Sequence, residues 1–172
     1  MRDIFCFCAF TSCRYSDAED LRWADVFERS FFIVSRKTGD PLEIDLNKWS
    51  REILERYRGR EYPEGRVLPQ ITNQVANRAL KRIARECGIG SPVRRTVYDA
   101  SGRHEEIHPK WELVGTHTAR RTFICNALMM GIPPNVVMKW TGHSSYNAMR
   151  PYIDVADGAR REAMEGFDRL QK

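Results

Sequence analysis

Thr116-His117-Thr118-Ala119-Arg120, Gly142-His143-Ser144-Ser145 and Arg150-Pro151-Tyr152 punctuate one continuous stretch, and its reading decides the fold. The spacing predicts a helix over about 117–130, with Thr116 as N-cap and Gly131 at its end. Pro134 suits the first turn of a second helix, about 134–140, which Gly142 terminates. A third follows over about 145–150. His117 and Arg120 are three apart on the first helix, so they share a face. Near a helix N-terminus, backbone N–H groups and the dipole favour an anion such as phosphate. His143 falls in a tight turn from which it can swing back towards the first helix. Pro151 is expected to interrupt regular helix, leaving the Tyr152 hydroxyl free to move. Singly, such residues are more often surface, core or packing. As an ordered set with helix–turn–helix punctuation they point to chemistry on a phosphate.

Upstream, residues 3–13 read as a buried helix through Ile4, Phe5, Phe7, Ala9 and Phe10. Ser16 or Asp17 is expected to cap a short helix through Leu21. Residues 31–46 read as a β-hairpin around Thr38-Gly39-Asp40-Pro41, with Lys37 at its tip. Asn47 caps a helix through Tyr57 whose apolar face is Trp49, Ile53 and Leu54. A helix over about 72–87 sets Val75, Ala79, Leu80 and Ile83 against a basic face of Arg78, Lys81, Arg82 and Arg85. Residues 93–108 suggest a second, exposed hairpin carrying Arg94, Arg95, Arg103 and His104, with Lys110 beyond it. A last helix over about 156–170 aligns Ala163, Met164, Phe167 and Leu170. The fold class expected is mainly α with a small antiparallel β-sheet, in one domain over 1–172.

The composition agrees with a soluble globular domain. Of 172 residues, 42% are apolar and 30% charged, with a net charge of +5. A basic balance favours a polyanionic partner. Cys6, Cys8, Cys13, Cys87 and Cys125 are odd in number and crowded early, which argues against a secreted disulfide framework. Cys6-x-Cys8 lacks zinc-site spacing, so buried free thiols in a reducing cytosol are expected and no metal. No apolar run approaches the roughly 18 residues that span a bilayer. The run Ile4 to Phe10, soon followed by Arg14, is too short for a signal peptide.

On these residues the chain resembles the tyrosine recombinases, the phage integrase family, and most of all integrases of Bacteroides-type mobile elements. The family pattern H-x-x-R, G-H-x-S/T and a Tyr about nine residues on is matched by His117-x-x-Arg120, Gly142-His143-Ser144-Ser145 and Tyr152. Its T-G-L-R-x-S-E segment is similar to Thr11-Ser12-Cys13-Arg14-Tyr15-Ser16-Asp17, with Ser12-Cys13 in place of Gly-Leu and Asp17 in place of Glu. Its hairpin lysine corresponds to Lys37 in Arg36-Lys37-Thr38-Gly39. The resemblance covers Asp3 to about Leu170.

It implies the catalytic core of a DNA breaking and rejoining enzyme acting in site-specific recombination or integration. Tyr152 would attack phosphorus to give a 3′-phosphotyrosine and a free 5′-hydroxyl. That ester preserves the bond energy for rejoining, so neither ATP nor a metal or other cofactor is needed. Arg14 and Arg120 would clamp the nonbridging oxygens. Lys37 would protonate the leaving oxygen, His117 would act as base, and His143 would donate to the phosphate. Asp17 would orient a basic partner. Tyr146 is the rival nucleophile.

Double-stranded DNA is the partner implied, with no membrane, in the bacterial cytoplasm and associated with the nucleoid. Arg78, Lys81, Arg82, Arg85, Arg94 and Arg95 are its candidate contacts, a solvated helix face being the other reading of the first four. Relatives carry an N-terminal core-binding domain and assemble as tetramers. Without that domain, these residues alone are expected to be monomeric, with weak DNA binding and little complete recombination. A topoisomerase- or resolvase-like relative and a non-catalytic helical DNA-binding module are the competing readings.

Overall fold

The computed structural model describes residues 1–100 and 102–156. Its helices are α1 (Arg2–Thr11), α2 (Tyr15–Asp20), α3 (Lys48–Tyr57), α4 (Asn73–Glu86), α5 (Thr116–Met129), α6 (Pro134–Thr141) and α7 (Arg150–Ala156). Strands β1 (Ser30–Val34) and β2 (Pro41–Asp45) form one antiparallel pair; β3 (Pro92–Asp99) and β4 (Gly102–Pro109) form another. The fold is mainly α with small antiparallel sheets, as the periodicities indicate.

Helix α1 is the hub because its apolar residues recur at helical spacing. Ile4, Phe7, Cys8 and Thr11 are buried, and α1 packs on both α3 and α5. Phe7 meets Phe31 of β1 with ring centroids 5.4 Å apart, in a core that also holds Ile44, Ile53, Leu54, Val67 and Leu68. A smaller cluster joins Ile124 and Ala127 of α5 to Val137 of α6 and to Met149. Helix α5 spans both clusters. Arg120 lies on the same stripe as Ile124 and Ala127, so a guanidinium enters the protein between them.

The caps register these parts. Asn47 Oδ1 accepts from the Ser50 N–H at 3.0 Å, capping α3, while its Nδ2 donates to the Phe10 carbonyl at 2.6 Å. One side chain thus ties the start of α3 to the end of α1.

Several local expectations need correction. Helix α2 begins at Tyr15, so Ser16 and Asp17 lie inside its first turn and cap nothing. Trp49 is 55% exposed and stacks on Phe10 at 6.2 Å instead of joining Ile53 and Leu54 in the core. In α4 the buried stripe is Ala76, Leu80 and Ala84, with Val75 turned outward. The inward face is thus one position round from Val75, with Leu80 between two alanines. The cap of α5 is Gly115, whose N–H donates to Thr118 Oγ1 at 3.0 Å; Thr116 is the first helical residue. Residues 145–150 form a short 3-10 turn at Tyr146–Ala148 and then enter α7. Pro151 is accommodated in the first turn of α7, where no intrahelical bond needs its missing N–H. Cys87 is exposed, unlike buried Cys8 and Cys13. The expected helix over 156–170, with its apolar stripe, lies outside the described residues beyond Ala156.

Candidate active site

Arg120 sits deepest in the site and is 3% exposed. Its Nη1 donates to the Ser12 carbonyl at 2.8 Å, and its Nη2 donates to the Thr141 carbonyl. These carbonyls lie at the C-terminal ends of α1 and α6, where helices leave acceptors unpaired and present partial negative charge. A buried cation is therefore held by two helix ends. Burial, and next the neighbouring Arg14, lower its pKa to about 10, which leaves it charged at neutral pH.

Ser12 makes this clamp possible. It ends α1 in the left-handed region at φ 66°, and its Oγ donates to the Trp140 carbonyl at 2.9 Å. The ends of α1 and α6 are thus bonded directly as well as through Arg120.

Arg14 stands between α1 and α2. Its Nη1 donates to Ser35 Oγ at 3.0 Å and lies 3.5 Å from Asp17 Oδ2. The other carboxylate oxygen of Asp17 accepts from the Arg36 N–H at 3.0 Å. Buried Asp17 and Ser35 thus register the β1–β2 turn against Arg14. Within that turn Arg36 reaches away to Asp20, with Nη2 2.7 Å from Oδ1. Lys37 is exposed on the same turn, directly after Arg36, whose N–H is tied to Asp17.

His117 lies in the first turn of α5 and remains open to solvent. Partial desolvation and then Arg120, Arg121, Arg14 and Lys37 hold its pKa below the ordinary value. His143 follows Gly142, which takes φ 62° at the end of α6. Its Nδ1 is 2.7 Å from Thr141 Oγ1. Burial first, then Arg120, Arg14, Lys37 and His117, push its pKa down to about 4. Tyr152 is half-buried against the smaller cluster, its ring centroid 6.4 Å from that of His143. Tyr146 is 58% exposed on the preceding turn.

Distant segments therefore bring Arg14, His117, Arg120, His143 and Tyr152 to one cleft, with Lys37 on the β1–β2 turn that Asp17 and Ser35 tie to Arg14. A cavity of about 350 Å³ adjoins it, lined in part by Arg14, Ser16, Asn73, Thr116 and His117. A larger cavity of about 640 Å³, walled by Trp23, Phe27, Arg58 and Arg60, shares none of these residues. The excess of basic groups in the cleft suits an anion with several oxygens, such as a phosphodiester.

The remaining candidates are on α4 and the second hairpin. Arg78, Lys81, Arg82 and Arg85 are exposed along α4; Arg82 is 3.9 Å from Glu86, and Arg85 lies over the Trp111 ring at 5.5 Å. On the second hairpin Arg94 is 3.5 Å from Glu105, and Arg95 stands opposite Glu106 in the register. Ser12, Ser35, Arg121 and Thr141, which sequence reasoning passes over, matter to the site. Arg121 and Thr141 are signalled by their places beside Arg120 and Gly142-His143. The carbonyl of Ser12 leaves no mark in the sequence.

No curated protein matches the sequence. Solved structures do match in fold. The catalytic domain of bacteriophage HP1 integrase is 20% identical, with 95% of this chain and 79% of that chain covered and a TM-score of 0.61. The Tn1549 transposon integrase in complex with circular intermediate DNA is 18% identical over 87% of this chain and 52% of that chain, with a TM-score of 0.60. XerA recombinase is 15% identical over 99% of this chain and 62% of that chain, with a TM-score of 0.68. The chain thus spans less than two thirds of the last two. The family model described as the phage integrase family matches residues 1–158. With that match over most of its length, the chain belongs to the phage integrase family.

Proposed function

We propose that this chain is the catalytic domain of a tyrosine site-specific recombinase that cleaves and rejoins DNA strands during integration of a mobile element. The observation that carries the reading is the convergence of Arg14, Arg120, two histidines and Tyr152 on one cleft, with Lys37 on the turn tied to Arg14. Tyr152 is the nucleophile. Its phenol oxygen bonds to phosphorus as the 5′-oxygen departs, leaving a 3′-phosphotyrosine that stores the ester for rejoining. Arg14 and Arg120 take the charge gathering on the nonbridging oxygens. Arg120 is preorganised because two carbonyls fix one edge of its guanidinium. Lys37 supplies the proton to the departing oxygen, and the histidines handle the proton of the phenol. Asp17 positions Arg14 and the Lys37 turn.

The substrate is double-stranded DNA, reached in the cytoplasm at the nucleoid, and four copies assemble on it for strand exchange. No helix among the described residues is long and apolar enough to cross a membrane. Exposed Arg78, Lys81, Arg82 and Arg85 are the auxiliary phosphate contacts. Arg94 and Arg95 contribute less, because acidic partners on β4 face them.

The test is covalent capture. The protein is incubated with a pool of nicked duplexes of randomised sequence, in which cleavage releases a short strand and traps the adduct. A denaturation-resistant protein–DNA band is expected from the wild type and not from Tyr152→Phe. No band from the wild type, or an equal band from the variant, overturns the assignment.

A further inference from the structure

Two asparagines of α4 hold the start of α5. Asn73 and Asn77 are one helical turn apart, so they share a face of α4. The Thr116 N–H is one of the donors that a helix N-terminus leaves without an intrahelical partner. It donates to Asn77 Oδ1 at 2.8 Å. Asn77 Nδ2 donates in turn to Asn73 Oδ1 at 2.9 Å, and that oxygen also accepts from Thr116 Oγ1 at 3.1 Å. The three bonds close a ring between segments 39 residues apart in sequence. The ring fixes the Asn77 amide: turned over, it would set its NH2 against the Thr116 N–H, donor against donor.

Gly115 is explained by the same contact. Its φ of −151° and ψ of −180° are extended backbone that any residue adopts. A Cβ there would stand 2.8 Å from Asn77 Oδ1. Glycine leaves the room that the amide occupies.

We propose that Asn73 and Asn77 are positioning residues that register α4 against the N-terminus of α5, and so set where His117 stands in the cleft. This rests on the recombinase reading above and leaves the chemistry of each catalytic group as stated there. His117 directly follows the pinned Thr116, and Asn73, Thr116 and His117 line one cavity with Arg14. Farther along α5, Arg120 is held by the carbonyls of Ser12 and Thr141. Helix α5 is therefore anchored on both sides of His117. Without the asparagines its first turn is free to fray, and His117 moves with that turn while Arg120 stays. Arg78 and Lys81 are exposed farther along α4. A duplex gripped by those side chains is held through the asparagine ring in register with the first turn of α5.

The first test needs no DNA. Amide hydrogen exchange followed by NMR reads the Thr116 N–H directly. It is expected to exchange about tenfold more slowly in the wild type than in Asn77→Ala, the worth of one hydrogen bond. Asn77→Asp, whose carboxylate accepts from the same N–H, is expected to keep the protection. A wild-type Thr116 N–H that exchanges like an open chain overturns the proposal, and that measurement depends on no variant folding.

The second test measures single-turnover cleavage and DNA affinity side by side, on a duplex recovered from the adduct pool. At saturating protein, Asn77→Ala is expected to cleave about tenfold more slowly with its DNA affinity unchanged, because a misplaced group costs rate and not binding. Asn77→Asp is expected to restore the rate. Gly115→Ala displaces the same amide, so combining it with Asn77→Ala is expected to slow cleavage no further than the slower single variant. Losses that multiply in the double variant, or a lowered unfolding midpoint with a wild-type cleavage rate, count against the proposal. No adduct from the wild type defeats the recombinase reading and the proposal with it; an adduct formed at full rate by Asn77→Ala defeats the proposal alone.

Discussion

His143→Gln should remove a pH-dependent part of the protein's stability. In the folded protein the imidazole is neutral down to about pH 4, because it is buried among Arg120, Arg14, Lys37 and His117. In the unfolded chain it titrates near 6.5. As pH falls, the unfolded chain therefore binds this proton first, and folding loses ground. The contribution is complete above about pH 6.5, declines below it, and is gone below about pH 4. Linkage over that interval gives about 2.5 kcal/mol by pH 4.5. Glutamine keeps a polar group beside Thr141 but cannot titrate. Urea unfolding at pH 7.5, 6 and 4.5, followed by tryptophan fluorescence, measures the difference. The wild type should lose about 2 kcal/mol more than His143→Gln across that range, with carboxylate and His117 effects common to both. Parallel stability–pH curves would refute the claim that His143 is held neutral by the cationic cleft.

Gly142→Ala should cost about 1–2 kcal/mol, since φ is 62° and the new Cβ would stand 2.8 Å from Leu42 Cδ1. Thermal unfolding checks this, and an unchanged midpoint would contradict the left-handed turn. Ser12→Ala should destabilise by about 1 kcal/mol, because it keeps the left-handed strain and loses the bond to the Trp140 carbonyl. Ser12→Gly should recover most of that loss by relieving the strain. For DNA binding, Lys81→Ala should reduce the slope of log K against log salt by about 0.9, the release expected for one phosphate contact. Arg94→Ala should leave the slope nearly unchanged, because Glu105 already faces that guanidinium; fluorescence anisotropy at several salt concentrations distinguishes the two.

Much of the fold is legible because its determinants are local. Asn47 caps α3 with its own side chain, and Thr38-Gly39-Asp40-Pro41 turns the first hairpin. Gly142 takes the left-handed conformation that ends α6. Arg120 is legible from the His117-x-x-Arg120 pattern, but that its side chain enters the protein in register with Ile124 and Ala127, where helix ends accept its hydrogens, appears only in the structure. What escapes depends on partners distant in sequence. Nothing local distinguishes Val75 from Ala76 as the inward residue of α4, because the neighbouring helices decide which fits. The tie from Asp17 to the Lys37 turn runs to a backbone N–H, and the Arg120 clamp runs to two carbonyls. Every residue carries a carbonyl and nearly every one an N–H, so their use appears only in three dimensions. Pro151 misleads because its effect depends on helix position, and it falls in the first turn of α7.

The location and polarity of the covalent bond test the central claim most directly. Adduct trapped on a nicked duplex is digested with protease and nuclease, and the nucleotide-bearing peptide is sequenced by mass spectrometry. The expected product is a 3′-phosphotyrosyl linkage on Tyr152, with a free 5′-hydroxyl on the released strand. A linkage on Tyr146, or a 5′-phosphotyrosyl bond on any residue, would contradict the site assembled around Arg14, Arg120 and His143.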